Sequence, residues 1–126
     1  MPHRSRLNTV VIDVPGTRFA AAVAFWATAL GRRPSKDPEA AQPYLALEGG
    51  GAPPDVVLQK IDEAARYHVD IATDDVEAEV RRLVAAGATV VGPVETWVVL
   101  RDPAGLFVCV IPAESDDFET TSTLWE

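Results

Sequence analysis

Cysteine is almost missing from this chain: Cys109 stands alone among 126 residues. An internal disulfide is excluded, and so is a zinc cluster built on thiolates. Histidine is nearly as scarce, at two residues. His3 lies in a terminal segment that reads as loose, which leaves His68 as the histidine placed to do chemistry. Positive charge is also short, with 11 Lys and Arg against 19 Asp and Glu and a formal net charge of −8. Such a body repels nucleic acid and anionic membrane surfaces, so neither is expected as a partner. No apolar run approaches the length of a membrane span. The N-terminus MPHRSR is basic, but the strand pattern after it is broken at Asp13 and Pro15, which does not suit a signal peptide. The expected location is the cytoplasm. What is present is ordinary for a globular protein, 48% apolar and 24% charged. A single domain of this size can bury roughly two thirds of its unfolded surface and fold without covalent staples.

Periodicity gives the organisation. From His68 to Val91 the chain reads HVDIATDDVEAEVRRLVAAGATVV. HVDIA alternates as a strand, and Val76, Val80, Leu83 and Val84 make a helical stripe. Asp74 or Asp75 can cap that helix, Gly87 can end it, and a new strand follows. The stretch from Thr9 to Gly31 repeats the plan. A strand breaks at Pro15-Gly16, and a helix runs from about Arg18 with Thr17 as its expected N-cap and Val23, Trp26 and Leu30 on one face. Phe25 and Trp26 are expected in the helix-to-sheet core. Further strands are predicted at Tyr44–Leu47, Asp55–Ile61, Thr96–Arg101 and Leu106–Pro112, the last two joined through a turn at Asp102-Pro103-Ala104-Gly105. Two β-α-β-β-β halves therefore make one body. Residues 1–6 form a flexible N-terminus, 7–112 a single domain with modules at about 7–61 and 67–112, and 113–126 an acidic tail without periodicity. The tail is expected to be poorly ordered unless its terminal tryptophan docks.

Each helix must cover one face of its own strands, which frees the other face to curve around a cavity. Strand parity then sorts the residues. Val10, Ile12 and Val14 belong under a helix, and Thr9, Val11 and Asp13 on the open face; His68, Asp70 and Ala72 share the open face of the middle strand. Gln59, Trp97, Arg101 and Cys109 follow by the same alternation, and Tyr44 and Trp97 offer flat surfaces for a ligand. Asp70 beside His68 could make an acid/base pair. The run Glu77, Glu79, Arg81 and Arg82 reads as a solvated helix face.

Several of these pieces occur together in a known order. Phe25-Trp26 is followed by Ala29-Leu30-Gly31, and HVDI at His68 is followed by DDVEAEVRRL from Asp74, Gly87-Ala88, and DPAG leading into FVCV at Phe107. The chain thereby resembles the vicinal oxygen chelate superfamily of glyoxalase I, bleomycin-resistance proteins and extradiol dioxygenases, within it the glyoxalase-like subgroup. The resemblance implies an α+β fold of paired βαβββ modules forming a U-shaped mixed β-sheet cleft, commonly as a homodimer. It also implies four metal positions, matching Thr9, Gln59, His68 and Cys109. His68 and Gln59 are the usable donors of the four, short of the three or more that a divalent transition metal normally takes. The expected function is therefore binding or sequestration of an apolar or aromatic small molecule without a cofactor. The candidate ligand-binding residues are Thr9, Asp13, Tyr44, Gln59, Trp97, Arg101 and Cys109, with His68 and Asp70 as candidate catalytic residues. The alternative is a metal-assisted lyase, isomerase or dioxygenase that holds a divalent ion through His68 and Gln59.

Overall fold

Alternation is strongest in the first strand, β1 (His3–Pro15), where Ile12 and Val14 are buried on one side and Thr9, Val11 and Asp13 on the other. The structure is a computed structural model that describes residues 2–40 and 43–126. The chain divides into two compact units, Thr9–His68 and Met1–Asn8 with Val69–Glu126. The boundaries fall inside strands rather than in the connector between modules.

In the Thr9–His68 unit, β1 runs into a short 3-10 turn (Gly16–Arg18) and helix α1 (Phe19–Leu30). Then come β2 (Arg33–Pro34), β3 (Tyr44–Glu48) and β4 (Asp55–Ile61). Part of the polar loop expected before β3, at positions 41 and 42, lies outside the described residues. The hydrogen-bonded order is β2-β3-β4-β1, with β1 parallel to β4 and the other pairs antiparallel. α1 covers the face that carries Ile12, Val14, Leu45, Leu47 and Leu58, and contributes Phe19 and Val23 to that core. Its C-cap is Gly31 at φ 66, the left-handed residue the sequence provides for. Two details depart from expectation. Thr17 falls inside the 3-10 turn, and α1 begins after Arg18 with no side-chain cap. Trp26 packs on the core, but Phe25 is 63% exposed and meets only its edge.

The second unit repeats the plan. Strand β5 (Arg66–Thr73), which belongs to this unit from Val69 onward, leads to helix α2 (Val76–Ala85), then β6 (Thr89–Val94), β7 (Trp97–Arg101) and β8 (Phe107–Pro112). The order is β5-β8-β7-β6, again with the module's first and last strands parallel. Asp75 caps α2, accepting from the Ala78 N–H at 3.1 Å. The Asp102 turn closes as expected, with Gly105 N–H donating to the Asp102 carbonyl at 2.9 Å. The fold is thus α+β with paired βαβββ modules, as the resemblance implied.

The chain ends do not behave as loose segments. Positions 3–6 are strand, and the acidic tail carries a short helix α3 (Phe118–Thr121) and β9 (Thr123–Trp125), which pairs antiparallel with His3–Ser5. The reason is side-chain anchoring. Trp125 Nε1 donates to Ser5 Oγ at 2.8 Å and its ring lies 3.8 Å from the Arg82 guanidinium, while Phe118 is buried. Arg4 donates to the carbonyls of Glu119 and Ser122. No helix among the described residues is long and apolar enough to cross a membrane.

Candidate functional site

Asp13 sits between two core residues of β1, so its side chain leaves the sheet on the face opposite α1. It is nevertheless 1% exposed. Burying a carboxylate costs several kcal/mol unless partners replace its water. Here both partners come from β5 residues of one parity. His68 Nδ1 lies 2.6 Å from Asp13 Oδ2, and Arg66 Nε donates to the same oxygen at 3.4 Å. Arg66 also pairs with Glu63 at 3.1 Å. The other oxygen, Oδ1, is buried without a hydrogen-bond partner. An unmatched buried acceptor costs about 1–3 kcal/mol, so this arrangement is not the cheapest way to fill the position. An ionised carboxylate can only accept, which places a proton on Nδ1 and turns Nε2 away from Asp13.

Register fixes what stands beside this pair. Gln59 lies opposite Asp13 in the parallel β1–β4 ladder, and Tyr44 lies opposite Gln59 in β3. Gln59 Nε2 donates to the Tyr44 hydroxyl at 3.2 Å, and Tyr44 is 48% exposed. Thr9 instead lies opposite Asp55. Thr9 and Gln59 are therefore offset by four ladder positions, roughly 13 Å along the strand. That is too far for both to hold one ion, so the expected set of Thr9, Gln59, His68 and Cys109 cannot all hold a single metal.

In the second unit, Asp70 and Cys109 are register partners across β5 and β8, and Val99 faces Cys109 from β7. Asp70 and Cys109 thus set a carboxylate beside a thiol on neighbouring strands. Trp97 is half-buried on β7. Arg101 is exposed, with its guanidinium over the Phe107 ring at 4.2 Å and Nη1 donating to the Gly105 carbonyl at 2.9 Å.

Two further features correct the expectations. Parity pairs His68 with its strand neighbour Asp70, but the short bond of His68 is to Asp13. Arg66 is a partner that sequence reasoning misses, although it shares the parity of His68 and that parity is the available signal. The helix run expected to be solvated contains Glu79, which is fully buried. Glu79 Oε1 lies 2.8 Å from His3 Nε2, and Arg82 grips both carboxylate oxygens at 2.8 and 2.7 Å. His3, expected in a loose end, is 7% exposed. Burial pushes the Glu79 carboxyl up, but the bonds from Arg82, His3 and Ser5 outweigh it and hold the group below its ordinary range.

Comparisons with known proteins agree with the fold. Positions 9–111 match the sequence model of a family described as a glyoxalase-like domain. No curated protein matches the chain by sequence. Among solved structures, a Mn(II)-bound glyoxalase from Novosphingobium aromaticivorans superposes with TM-score 0.63 at 23% identity, over 89% of this chain and 40% of that one. The chain thus spans about two fifths of that glyoxalase. A hypothetical protein from Bacillus halodurans C-125 gives 0.62 at 14% identity, over 89% of this chain and 96% of that one. Methylmalonyl-CoA epimerase from Mycobacterium tuberculosis gives 0.54 at 14%, over 86% and 88%. At these identities the likeness is one of fold.

Proposed function

Because the chain belongs to the glyoxalase-like domain family, we propose that it binds a small organic molecule with an apolar or aromatic body, oriented by His68. The observation that carries this reading is the 2.6 Å bond between His68 Nδ1 and the buried Asp13. A ring locked by a buried carboxylate is a polar group of fixed direction, the kind that sets ligand orientation in an otherwise apolar site. Gln59 and Tyr44 add an amide and a flat surface next to Asp13 in the register, and Thr9, Trp97, Arg101 and Cys109 complete the residues assigned to the ligand. Should the bound molecule be turned over, acid–base work falls to His68, with Asp13 orienting the ring and Asp70 the second acid/base group. We also read the protein as a cytoplasmic homodimer; sedimentation giving a monomer mass at micromolar concentration would count against the dimer.

The test is a titration of a panel of aromatic small molecules into chelator-treated protein, followed by NMR. At least one should bind saturably, and His68→Ala should weaken it about tenfold, the loss of one hydrogen bond. Failure of the whole panel, or binding that appears only after a divalent metal is added, would sink the reading.

A second reading is a metal-assisted lyase, isomerase or dioxygenase. The observation favouring it is the register pairing of Asp70 with Cys109, which sets a carboxylate beside a thiol, two donor types that take divalent metals. Elemental analysis would then find about one metal ion per chain, lost in Asp70→Asn.

A further inference from the structure

Arg66 serves the buried carboxylate of Asp13 poorly. A guanidinium placed to satisfy such a group gives its fork to both oxygens, as Arg82 does at Glu79. Arg66 gives Asp13 one N–H of the five it carries, from Nε at 3.4 Å, and Oδ1 stays unmatched. Its Nη1 holds a second carboxylate instead, Glu63 Oε2 at 3.1 Å. Glu63 lies in a bend outside any strand, and it is 61% exposed against 37% for Arg66. Water competes for both partners of such a pair, so the pair contributes little to the fold. The guanidinium is thus shown with a carboxylate on it, and that carboxylate is weakly held.

The position of Arg66 ties this to the candidate site. His68 Nδ1 and Arg66 Nε meet the same oxygen of Asp13, so the two side chains converge on one atom. A molecule resting against His68 therefore has the guanidinium beside it. We propose that this molecule carries a carboxylate, and that Arg66 selects for it by exchanging Glu63 for the acid group of the ligand. The inference rests on the small-molecule reading of the site. The apolar body of a ligand excludes water from the new pair and strengthens it, which the side chain of Glu63 does not do. A planar fork also suits a carboxylate better than a lysine would. Asp13 does not stand in the way, since it is covered at 1% exposed and its charge is offset by Arg66. The net charge of −8 repels acids at long range, but salt screens that field beyond roughly 8 Å, and selection is made at contact.

Matched acids and amides are the probes: benzoate against benzamide, and phenylacetate against phenylacetamide. They are titrated into the chelator-treated full chain in about 0.15 M salt and followed by NMR. The acids should bind about tenfold tighter than their amides. Arg66→Gln should remove that preference and leave amide affinity within about twofold of wild type. Glu63→Gln, at an exposed position, should tighten the acids about threefold by removing the competing carboxylate, an effect that a purely structural arginine would not give. Amides that bind as tightly as acids would overturn the proposal, as would an equal loss of both in Arg66→Gln. Unchanged or weaker acid affinity in Glu63→Gln would overturn it too, and that variant decides the matter if Arg66→Gln does not fold. Binding of neither acids nor amides would instead bring down the small-molecule reading itself, and this inference with it.

Discussion

Two carboxylates, one in each unit, are buried with the same kinds of partner and treated differently. Glu79 and Asp13 are 0% and 1% exposed, and each meets one histidine and one arginine. Around Glu79 both oxygens are matched, because Arg82 one turn along α2 presents its fork to the pair and His3 closes the remaining side. Around Asp13 both partners crowd one oxygen, and the other has none. A fully matched buried ion pair is what a structural anchor requires, and Glu79 ties α2 to β1 next to where β9 docks. A half-matched one carries a cost that packing alone does not explain. The contrast teaches that burial and pairing do not by themselves set the two groups apart; the matching of each oxygen does.

The comparison can be broken most directly by removing the charges. Glu79→Ala should cost about 3 kcal/mol in urea unfolding, since it strands the buried His3 and the half-buried Arg82. Asp13→Asn should cost less than about 1 kcal/mol, because it removes an acceptor charge that is already poorly matched. Equal losses would make Asp13 structural too and remove the physical ground for singling it out.

Acid should test the Glu79 anchor next. The carboxyl of Glu79 is held below its unfolded value near 4.5. Its contribution is therefore complete above that value and is lost as pH falls through the lowered folded one. Glu79→Gln should flatten the acid limb of a stability–pH curve measured by thermal melts; an unchanged limb would mean the pair contributes nothing there.

A smaller effect is expected at the tail. Trp125→Ala removes the contact with Arg82 and the bond to Ser5, and should lower stability by about 1–2 kcal/mol. Hydrogen exchange in β9 should rise with it; protection at wild-type level would show that Phe118 and the strand pairing hold the tail alone.

The helix starts give the finest test. Asp75→Ala should cost about 1 kcal/mol through the lost cap on α2. Thr17→Ala should stay within about 0.5 kcal/mol, since α1 has no side-chain cap to lose. Equal costs in denaturant titrations would contradict the two cap geometries.

Much of the architecture is readable without coordinates because its signals are local. The alternation of TVVIDV, the stripe from Val76 to Val84, the glycine at 31 and the DPAG turn each depend on residues within one helical turn or one pleat. Parity even places Asp13 on the face away from α1. The partner of His68 is not readable, because Asp13 lies 55 residues away and the pairing depends on how strands come together. Thr9 and Gln59 are equivalent by motif, but the β1–β4 register sets Gln59 beside Asp13. The order of the tail is hidden for a similar reason. Short of any period of its own, it is held by Ser5 and Arg82, residues far from it in sequence.

The sequence alone determined that two strand–helix–strand modules would form and which side of each strand would meet a helix, because side-chain direction follows from backbone period. Tertiary structure alone decided which buried acid is satisfied and which keeps an unmatched oxygen. That outcome depends on strand register and on the angle at which distant side chains arrive, and no local pattern encodes either.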